Sequence, residues 1–541
     1  MNKPLLLSLA AAAVLSTNLN AESMYERIQA MELQMKQMQN EIQALKSHKS
    51  EAVAEETDDE EAVEDDAQDE VSADKADSDE EDDDDEDEDE SIEDQIADIQ
   101  ENLTDLNKGN NGNHLKFGVD YRFAIENMHY KMADGSTTKN NAFMTNRFWL
   151  NMNWAATENL SFHGQLAYNK AFGARSGASN PANNSYETFD WIANENAFDD
   201  TLRVRSVYFL YKNDTFLGSD VPWTFSVGRR PSTNGHLVNL RDDDNAASPM
   251  GHTINVEFDG LSSKFSLEDL VGVNGMYVKF CAGRGMSNAA PRFTSTPYTD
   301  VNNLQGANTN IDLAGLIFVP YDNGQYSVGT QYYYASNLID ARNPANQLAG
   351  FKTVGGLHSI TANFVANGIG DEINDYLDDT IFFVSGAMSI TDPNSNERML
   401  YAPVDSNGLA TQTGESKTGY SVWVGLQMPS LVTEDGKWGF EYNHGSQYWR
   451  SITYGEDTNI GSKLATRGNA YEAYFTEYLI DDILSLQLRY TYIDYDYSGS
   501  NGFFGDTTGA SMSMDDAVAA GMGSQVVNKA QDIRFYLRYK Y

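Results

Sequence analysis

The chain ends in the sequence QDIRFYLRYKY, which covers residues 531–541. Apolar or aromatic side chains at Ile533, Phe535, Leu537, Tyr539 and Tyr541 alternate with the more polar ones between them. Because successive side chains of a β-strand point to opposite faces, a period of two indicates a strand with one apolar face. If that face meets lipid, only a closed barrel lets the strand satisfy its backbone hydrogen bonds. The C-terminus therefore predicts the last strand of a β-barrel.

The same alternation recurs throughout residues 115–541, for example from Leu115 to Glu126 and from Leu484 to Tyr492. We distinguish about sixteen such segments and therefore predict an all-β protein, a transmembrane antiparallel β-barrel of about sixteen strands, with eighteen as the alternative. The predicted strands begin near Leu115, Ala142, Leu160, Leu202, Trp223, Thr253, Gly275, Asp312, Gln325, Leu357, Thr380, Gly419, Lys437, Asn469, Ile483 and Ala530.

The connections between the predicted strands alternate in length. The short connections are residues 155–159, 321–324, 429–436 and 478–482. The long connections are residues 127–141, 171–201, 229–252, 282–311, 391–418 and 495–529. Short turns at one rim and long loops at the other are typical of barrels that span a bacterial outer membrane. The connections of a soluble β-sandwich do not alternate between short and long, and its strands lie within about 100 residues.

The composition excludes several classes of protein. The 541 residues include 81 Asp and Glu against 37 Lys and Arg, a net charge of −44. Nucleic acid is therefore not an expected partner, because binding phosphates requires a surplus of cations. A transmembrane helix needs about 20 consecutive apolar residues, and the sequence contains no such run. Cys281 is the only cysteine, which excludes an intramolecular disulfide and a multi-cysteine metal site.

The segment before the predicted barrel, residues 115–541, has a different character. Lys3, a short apolar run and Ala21 predict that residues 1–21 are a cleaved signal peptide. Residues 51–90 are dominated by Asp and Glu, so they repel one another and predict a disordered linker. The linker is flanked by two predicted helices, residues 22–50 and 91–108.

Both predicted helices carry apolar side chains spaced alternately four and three residues apart. In the first helix these are Met24, Ile28, Met31, Met35, Met38, Ile42 and Leu45. In the second they are Ile92, Ile96, Ile99, Leu103 and Leu106. A mean spacing of 3.5 residues favours a coiled coil over a helix packed on its own domain. We therefore expect self-association, with a dimer and a trimer both left open because methionine-rich seams specify strand number poorly.

Residues 115–541 resemble bacterial outer-membrane porins. The resemblance rests on the barrel layout and on the phrases FSVGRR, residues 225–230, and FDGL, residues 258–261. The terminal side chains Phe535, Leu537, Tyr539 and Tyr541 resemble the assembly signal of such proteins. The whole chain also resembles an uncharacterised porin-like family of epsilonproteobacteria with an N-terminal periplasmic coiled coil. These resemblances imply an outer-membrane location with the helices in the periplasm, contact with the lipid bilayer, and insertion by the outer-membrane assembly machinery. They also imply a homotrimer, because porins often associate through their barrel walls.

If the apolar strand faces meet lipid, the polar faces line a pore. The pore-lining residues expected on this basis are Lys116, Arg122, Arg147, Arg203, Arg205, Arg229, Arg230, Glu257, Glu441, Arg489, Arg534 and Arg538. The porin resemblance implies that the third long loop folds into the lumen, where Asp242, Asp243 and Asp244 would form a constriction. Acids that face bases there would give a transverse field that orients polar solutes. The alternative is a solvated loop tip above an ordinary polar wall.

Motifs of metalloproteases, phosphate-binding loops and nucleophile elbows are absent from the sequence. We accordingly predict no catalytic residue, no metal ligand and no cofactor. The predicted function is an aqueous channel for passive diffusion of ions and small polar solutes. Two alternatives remain: a barrel that anchors a periplasmic tether to the cell wall, and an outer-membrane hydrolase that uses Ser and His.

Overall fold

The computed structural model describes residues 115–172, 202–230, 234–286, 310–341, 351–370, 373–400, 413–453, 456, 458–499 and 511–541. The chain divides into two units, Met1–Glu90 and Ser91–Tyr541. The predicted signal peptide, both predicted coiled-coil helices and the acidic linker lie outside the described residues.

The described chain is mostly β-strand. In chain order the strands are β1 (Leu115–Met132), β2 (Thr137–Ala155), β3 (Leu160–Ala171), β4 (Arg203–Asn213), β5 (Trp223–Arg230), β6 (Gly235–His236), β7 (Ala247–Met250), β8 (Ile254–Asn255), β9 (Phe258–Ser266), β10 (Tyr277–Met286), β11 (Ile311–Asp322), β12 (Tyr326–Ala341), β13 (Phe351–Asn367), β14 (Ile381–Pro393), β15 (Thr418–Pro429), β16 (Gly436–Gly445), β17 (Ile452–Thr453), β18 (Gly468–Ile480), β19 (Leu484–Tyr495) and β20 (Val527–Lys540). The short helices are α1 (Glu268–Val271), α2 (Asp375–Asp378) and α3 (Met514–Ala519).

Sixteen of these strands close into one barrel, and β6, β7, β8 and β17 stand apart from it. Each barrel strand pairs antiparallel with the next, and β1 closes the ring by pairing antiparallel with β20. The terminal residue takes part, because the Val119 amide donates to the Tyr541 carbonyl oxygen at 2.6 Å. The predicted fold class and the predicted number of strands are confirmed.

Several strand boundaries predicted from the sequence are wrong; for example, the strand expected from Leu357 begins at Phe351. Residues 127–141 are not a loop, since β1 and β2 extend through most of them and leave a turn at 133–136. Their side chains are largely polar and lack the alternation, but the backbone ladder continues regardless of side-chain type. The strand expected from Thr253 begins instead at Phe258, because residues 254–255 form β8, which pairs with β17.

The outer face of the barrel is apolar. Large side chains on outward positions are exposed, among them Phe117 at 61%, Phe280 at 52% and Leu488 at 50%. Aromatic side chains such as Trp154 and Trp438 lie near the rim formed by the short turns. An exposed apolar band with aromatic side chains at its edge is typical of barrels embedded in lipid.

Two connections fold into the barrel instead of staying at its rim. The first lumen loop, residues 234–257, joins β5 to β9. The second lumen loop joins β16 to β18, and its described residues are 446–453, 456 and 458–467. The two loops meet where β8 and β17 pair in parallel. Leu237 and Val238 of the first loop pack with Leu464 of the second and with Phe383 and Trp423 of the wall. Apolar packing therefore holds both loops inside the barrel.

Candidate functional site in the barrel lumen

The tip of the first lumen loop carries the three aspartates predicted from the sequence. Val238–Asp242 form one 3₁₀ turn, and Asp243 then adopts a left-handed conformation at φ 50°. The carboxylate of Asp243 accepts hydrogen bonds from Lys437 Nζ at 2.8 Å and from the Tyr478 hydroxyl at 2.7 Å. Burial raises the pKa of Asp243, but these hydrogen bonds and the charges of Lys437 and Lys540 outweigh it and hold the pKa below its usual value.

The other two aspartates contact the last strand. The Tyr536 hydroxyl donates to Asp242 at 2.8 Å. Arg538 donates to both carboxylate oxygens of Asp244 at 2.9 and 3.0 Å, and Lys540 donates to Asp244 at 2.7 Å. Lys540 is the last residue of β20, so the loop tip reaches nearly to the short-turn rim.

Three arginines lie side by side on the lumen wall next to this tip. Arg122 of β1 pairs in register with Arg147 of β2 and with Arg538 of β20. Like charges directly opposite each other repel. Asp120 compensates, because its carboxylate lies 3.1 Å from Arg147 Nη2 and 2.6 Å from Arg538 Nη2. The guanidinium of Arg122 lies 5.2 Å from the ring centroid of Tyr536. This arginine row therefore lies against the tip of the first lumen loop, which Arg538 contacts directly through Asp244.

A second ionic cluster surrounds Glu472 of β18. Its carboxylate lies 2.9 Å from Arg241 Nη1, 2.6 Å from Lys463 Nζ and 3.9 Å from Arg489 Nε. Lys463 also contacts Glu441 at 2.6 Å. All five side chains are at most 7% exposed. Arg241 belongs to the first lumen loop and Lys463 to the second, so one wall carboxylate binds both.

Other predicted pore-lining residues also contact partners inside the barrel. Arg534 Nη2 lies 2.7 Å from Glu126, which in turn accepts from the Asn459 amide of the second lumen loop. Arg205 Nε lies 3.2 Å from Glu257 of the first lumen loop, although Glu257 precedes β9 instead of lying on it. The inward charges therefore fix the lumen loops to the wall.

The remaining predicted pore-lining residues differ in their surroundings. Lys116 lies on the same face of β1 as Asp120 and Arg122 and is exposed at the short-turn end, and Arg203 pairs in register with Ala167 and is half-buried on β4. The structure describes only the backbone of Arg230, which pairs with Phe258. The prediction for Arg229 is wrong. It follows Val227 on the outer face, whereas the inward neighbour Ser226 hydrogen-bonds Ser262.

Arg229 belongs to a row of charges on the outside of the barrel. In consecutive strands Arg229 pairs in register with Asp259, Asp259 with Arg284, and Arg284 with Asp312. Arg284 binds Asp312 through two hydrogen bonds, at 2.6 and 2.9 Å. The alternating signs let each charge face opposite ones, which explains why charges are tolerated on an otherwise apolar face.

His252 fixes the first lumen loop at a further point. Its ring nitrogens lie 2.8 Å from the Ser385 hydroxyl and 2.9 Å from the Ser421 hydroxyl. The rings of Trp423 and Trp449 lie 5.7 Å away, centroid to centroid. Burial lowers the pKa of His252 to about 3, so the imidazole is neutral at pH 7. Because the histidine and both serines are at most 2% exposed, this contact joins loop and wall.

Two recesses open beside the first lumen loop. The acidic recess has a volume of about 710 Å³, and its acidic lining residues are Asp243, Asp378, Asp379, Glu434, Asp435, Asp481 and Asp482. The lysine recess has a volume of about 340 Å³, and its charged or titratable lining residues are His236, Lys264, Tyr277, Lys279 and Asp322. The loop lines both recesses, one of which is bordered by β13–β18 and the other by β9–β12.

Several of these residues were not found by sequence reasoning, among them Arg241, Lys463 and Glu472. The run from Ser462 to Arg467 has no period-two pattern and reads as an ordinary polar loop. Glu472 alternates with apolar side chains in its strand, which was a usable signal for an inward position.

Within the described ranges, no group of three or more His, Cys, Asp or Glu side chains is placed to hold a metal ion. Among the helices in the same ranges, none is long and apolar enough to cross a membrane.

Three solved structures illustrate what the chain is similar to. OmpT, an outer membrane protein of Vibrio cholerae, is 12% identical, with 79% of this chain and 97% of that chain covered and a TM-score of 0.40. OmpF of Salmonella typhi in complex with daunomycin is 12% identical, with 80% and 99% covered and a TM-score of 0.42. An anion-selective porin from Comamonas acidovorans is 9% identical, with 79% and 99% covered and a TM-score of 0.41.

Among curated proteins, none matches the chain. A family model does match, and it covers residues 137–541, which is all of the barrel except β1 and the first turn. The chain therefore belongs to the family described as "Protein of unknown function (DUF3373)".

Proposed function

We propose that the protein is an outer-membrane porin, an aqueous channel for passive diffusion of ions and small polar solutes. The observation that carries the proposal is a closed barrel of sixteen strands with an apolar outer face and a charged lumen. A barrel of this size is wide enough to leave an aqueous path. An apolar outside and a polar inside are the arrangement that a channel through lipid requires.

The two lumen loops narrow that path, so we expect small solutes only. The constriction would lie beside the tip of the first lumen loop, where Asp244 contacts Arg538 of the arginine row. Acids on the loop and bases on the wall would act there on polar solutes that pass beside this contact. The acidic and lysine recesses extend this separation of charge toward the short-turn rim.

Such a channel would lie in the outer membrane and would have partners on its periplasmic side. The short-turn rim, where the chain ends, would face the periplasm, and the long loops would face outward. The outward side chains Phe535, Leu537, Tyr539 and Tyr541 would be read by the outer-membrane assembly machinery. After signal-peptide cleavage, residues 22–108 would lie in the periplasm, form a homotrimer through their coiled coils and reach the cell wall. The protein would also belong to a porin-like family of epsilonproteobacteria.

The experiment that tests the channel is conductance of the purified protein in planar lipid bilayers. We expect discrete conductance steps that come in threes if the trimer forms. If the protein inserts into the bilayer and produces no conductance steps, it is not a channel.

A second experiment separates a channel from a tether. Deletion of residues 22–108 should leave conductance steps intact while abolishing any attachment of the envelope to the cell wall. Changing Ile28 and Ile42 together to Asp places charges in the predicted seam and should weaken assembly. Native mass spectrometry in mild detergent should then show monomers where the unmodified protein gives trimers.

A further inference from the structure

Polar side chains of the inner wall are buried beneath the two lumen loops. Arg205 of β4, Gln331 of β12, Thr361 of β13, Ser385 of β14 and Arg489 of β19 are all at most 5% exposed, although these strands are distributed around the ring. Polar side chains that line an open aqueous channel would be in contact with water instead. The loops therefore leave little room for water beside these positions.

Apolar side chains fill the space between the loops and the wall. Ile254 of the first loop and Ile452 of the second pack in one cluster with Leu313 and Leu357 of the wall. Apolar packing excludes water, and apolar constrictions close channels by dewetting. The described residues therefore indicate a closed conformation of the barrel.

The second lumen loop covers the wall where β20 meets β1. Its Asn459 amide donates to Glu126 of β1 at 2.7 Å. Its Ile460 packs in a cluster with Met128 of β1 and Ala530 of β20. This loop therefore covers the seam at which the barrel closes.

The same contact contains buried polar atoms that are not satisfied. Asp532 of β20 pairs in register with Met128 and Thr491 and is 1% exposed. Within the described part of the chain, neither of its carboxylate oxygens has a hydrogen-bond partner. The hydroxyl groups of Thr458 in the loop and of Tyr495 in the same apolar cluster also lack one there. Such atoms cost free energy while they are buried, and displacement of the loop would hydrate them.

The two ends of the second lumen loop lie side by side. Gly445 of β16 and Gly468 of β18 pair directly in register, so the ladder between these strands is complete without the loop. The first lumen loop, in contrast, reaches nearly to the short-turn rim, where Asp243 and Asp244 bind side chains of the wall. The second loop is therefore the more readily displaced of the two.

We propose that the two lumen loops close the barrel and that the second lumen loop is its gate, which opens an aqueous path along β18, β19, β20 and β1 when it leaves the wall. Opening breaks the contacts of Lys463 with Glu441 and Glu472, and hydration of Asp532 offsets part of that cost. The open conformation is therefore a minor state through which solutes pass. This inference rests on the proposed channel.

Replacement of residues 446–467 by Asn-Gly tests the gate. This dipeptide forms a tight turn between antiparallel strands, and Gly445 and Gly468 are already paired for it. In planar bilayers we expect rare, brief openings of the unmodified protein and an open fraction about tenfold higher in the variant. Equal open fractions would overturn the gate and leave the channel standing, whereas absence of conductance from both proteins would refute the channel and with it the gate.

Thiol labelling tests the cover without any need for conduction. Cys281, the only cysteine, is replaced by Ala, and the completely buried Thr491 of the inner wall by Cys. A hydrophilic thiol reagent should label Thr491→Cys about tenfold faster when the second lumen loop has been replaced. Ser485→Cys is the matched control, because Ser485 lies on the same face of β19 but is only half-buried, and its rate should not change. Equal rates at Thr491→Cys in both proteins would overturn the proposal.

Point variants test the gate with the loop in place. Asp532→Asn removes a buried charge and should make openings rarer, whereas Asp494→Asn on the outer face of β19 should leave them unchanged. If the loop replacement does not fold, Asn459→Ala combined with Ile460→Ala decides the matter, because the pair loosens the loop without removing it. Openings should then become about tenfold more frequent. An unchanged frequency in this double variant would overturn the gate.

Discussion

Arg538 of the last strand holds both carboxylate oxygens of Asp244, at 2.9 and 3.0 Å, although 294 positions separate the two residues in the chain. The same guanidinium also holds Asp120 of the first strand at 2.6 Å. Arg538 therefore connects two features of the barrel. One is the seam between β1 and β20, where the barrel closes, and the other is the tip of the first lumen loop. Charge-assisted contacts of this kind are among the stronger polar interactions in proteins.

Replacement of Asp242, Asp243 and Asp244 together by Asn should shift ion preference toward anions. The change removes three negative charges that Lys437, Arg538 and Lys540 contact, although Arg538 retains Asp120. The reversal potential of bilayer currents under a salt gradient measures the shift. It should shrink at high salt, because the screening length falls from about 30 Å at 0.01 M to about 3 Å at 1 M. An unchanged reversal potential would place the aspartates outside the path of the ions.

Glu472→Gln should destabilise the protein strongly. It leaves Arg241, Lys463 and Arg489 without a shared buried carboxylate, and loss of one partner of a buried ionic cluster costs about 3–5 kcal/mol. Unfolding by denaturant in detergent measures the loss. Glu477→Gln on the same strand is the control, because Glu477 accepts from the neutral Thr433 hydroxyl at 2.6 Å and its loss should have a small effect. Equal stability of both variants would contradict the assigned role of Glu472.

Acidification should release the first lumen loop from the wall. The pKa of His252 is depressed from about 6.5 to about 3 in the folded protein, so its contribution is complete above about 6.5 and is lost as the pH falls toward 3. Each pH unit in this window costs up to about 1.4 kcal/mol. The fluorescence of Trp423 and Trp449 beside the imidazole should report the change.

His252→Gln is the control for this acid response, since its side chain does not titrate but still offers hydrogen bonds to the serine hydroxyls. The fluorescence change between pH 7 and pH 4 should be much smaller in this variant. The same amplitude in both proteins would assign the acid response to other groups, of which Asp243 is the first to examine because its depressed pKa also makes its contribution fail at low pH.

Arg229→Gln and Arg122→Gln should differ in their effect on selectivity. Arg229 lies on the outer face beside Asp259, whereas Arg122 lies in the lumen between Arg147 and Arg538. We expect the Arg122 change to shift the reversal potential toward cation preference and the Arg229 change to leave it unaltered. A shift of equal size in both variants would show that Arg229 reaches the path of the ions.

The barrel could be predicted from the sequence because a strand between lipid and water must alternate apolar and polar side chains. In segments such as Leu484–Tyr492 this alternation shows clearly which side chains face outward. The same alternation places Arg229 on the strand face of Phe225 and Val227, which faces outward. Its charge, however, favours an inward assignment when the sequence is considered alone. The second lumen loop had no comparable signal. Its contacts, such as Lys463 to Glu472, depend on tertiary placement, and a buried ion pair looks in sequence like two surface charges.

The contact of Arg538 with Asp244 has a consequence for the order of events during biogenesis. The first lumen loop is synthesised long before β20 and has no anchor from that strand until the C-terminus arrives. The barrel therefore closes, and the first lumen loop reaches its final position, in the same step. A chain cut short before Tyr536 would lack the Arg538 anchor and the last part of the seam, from Tyr536 to Lys540, and the barrel would be less stable.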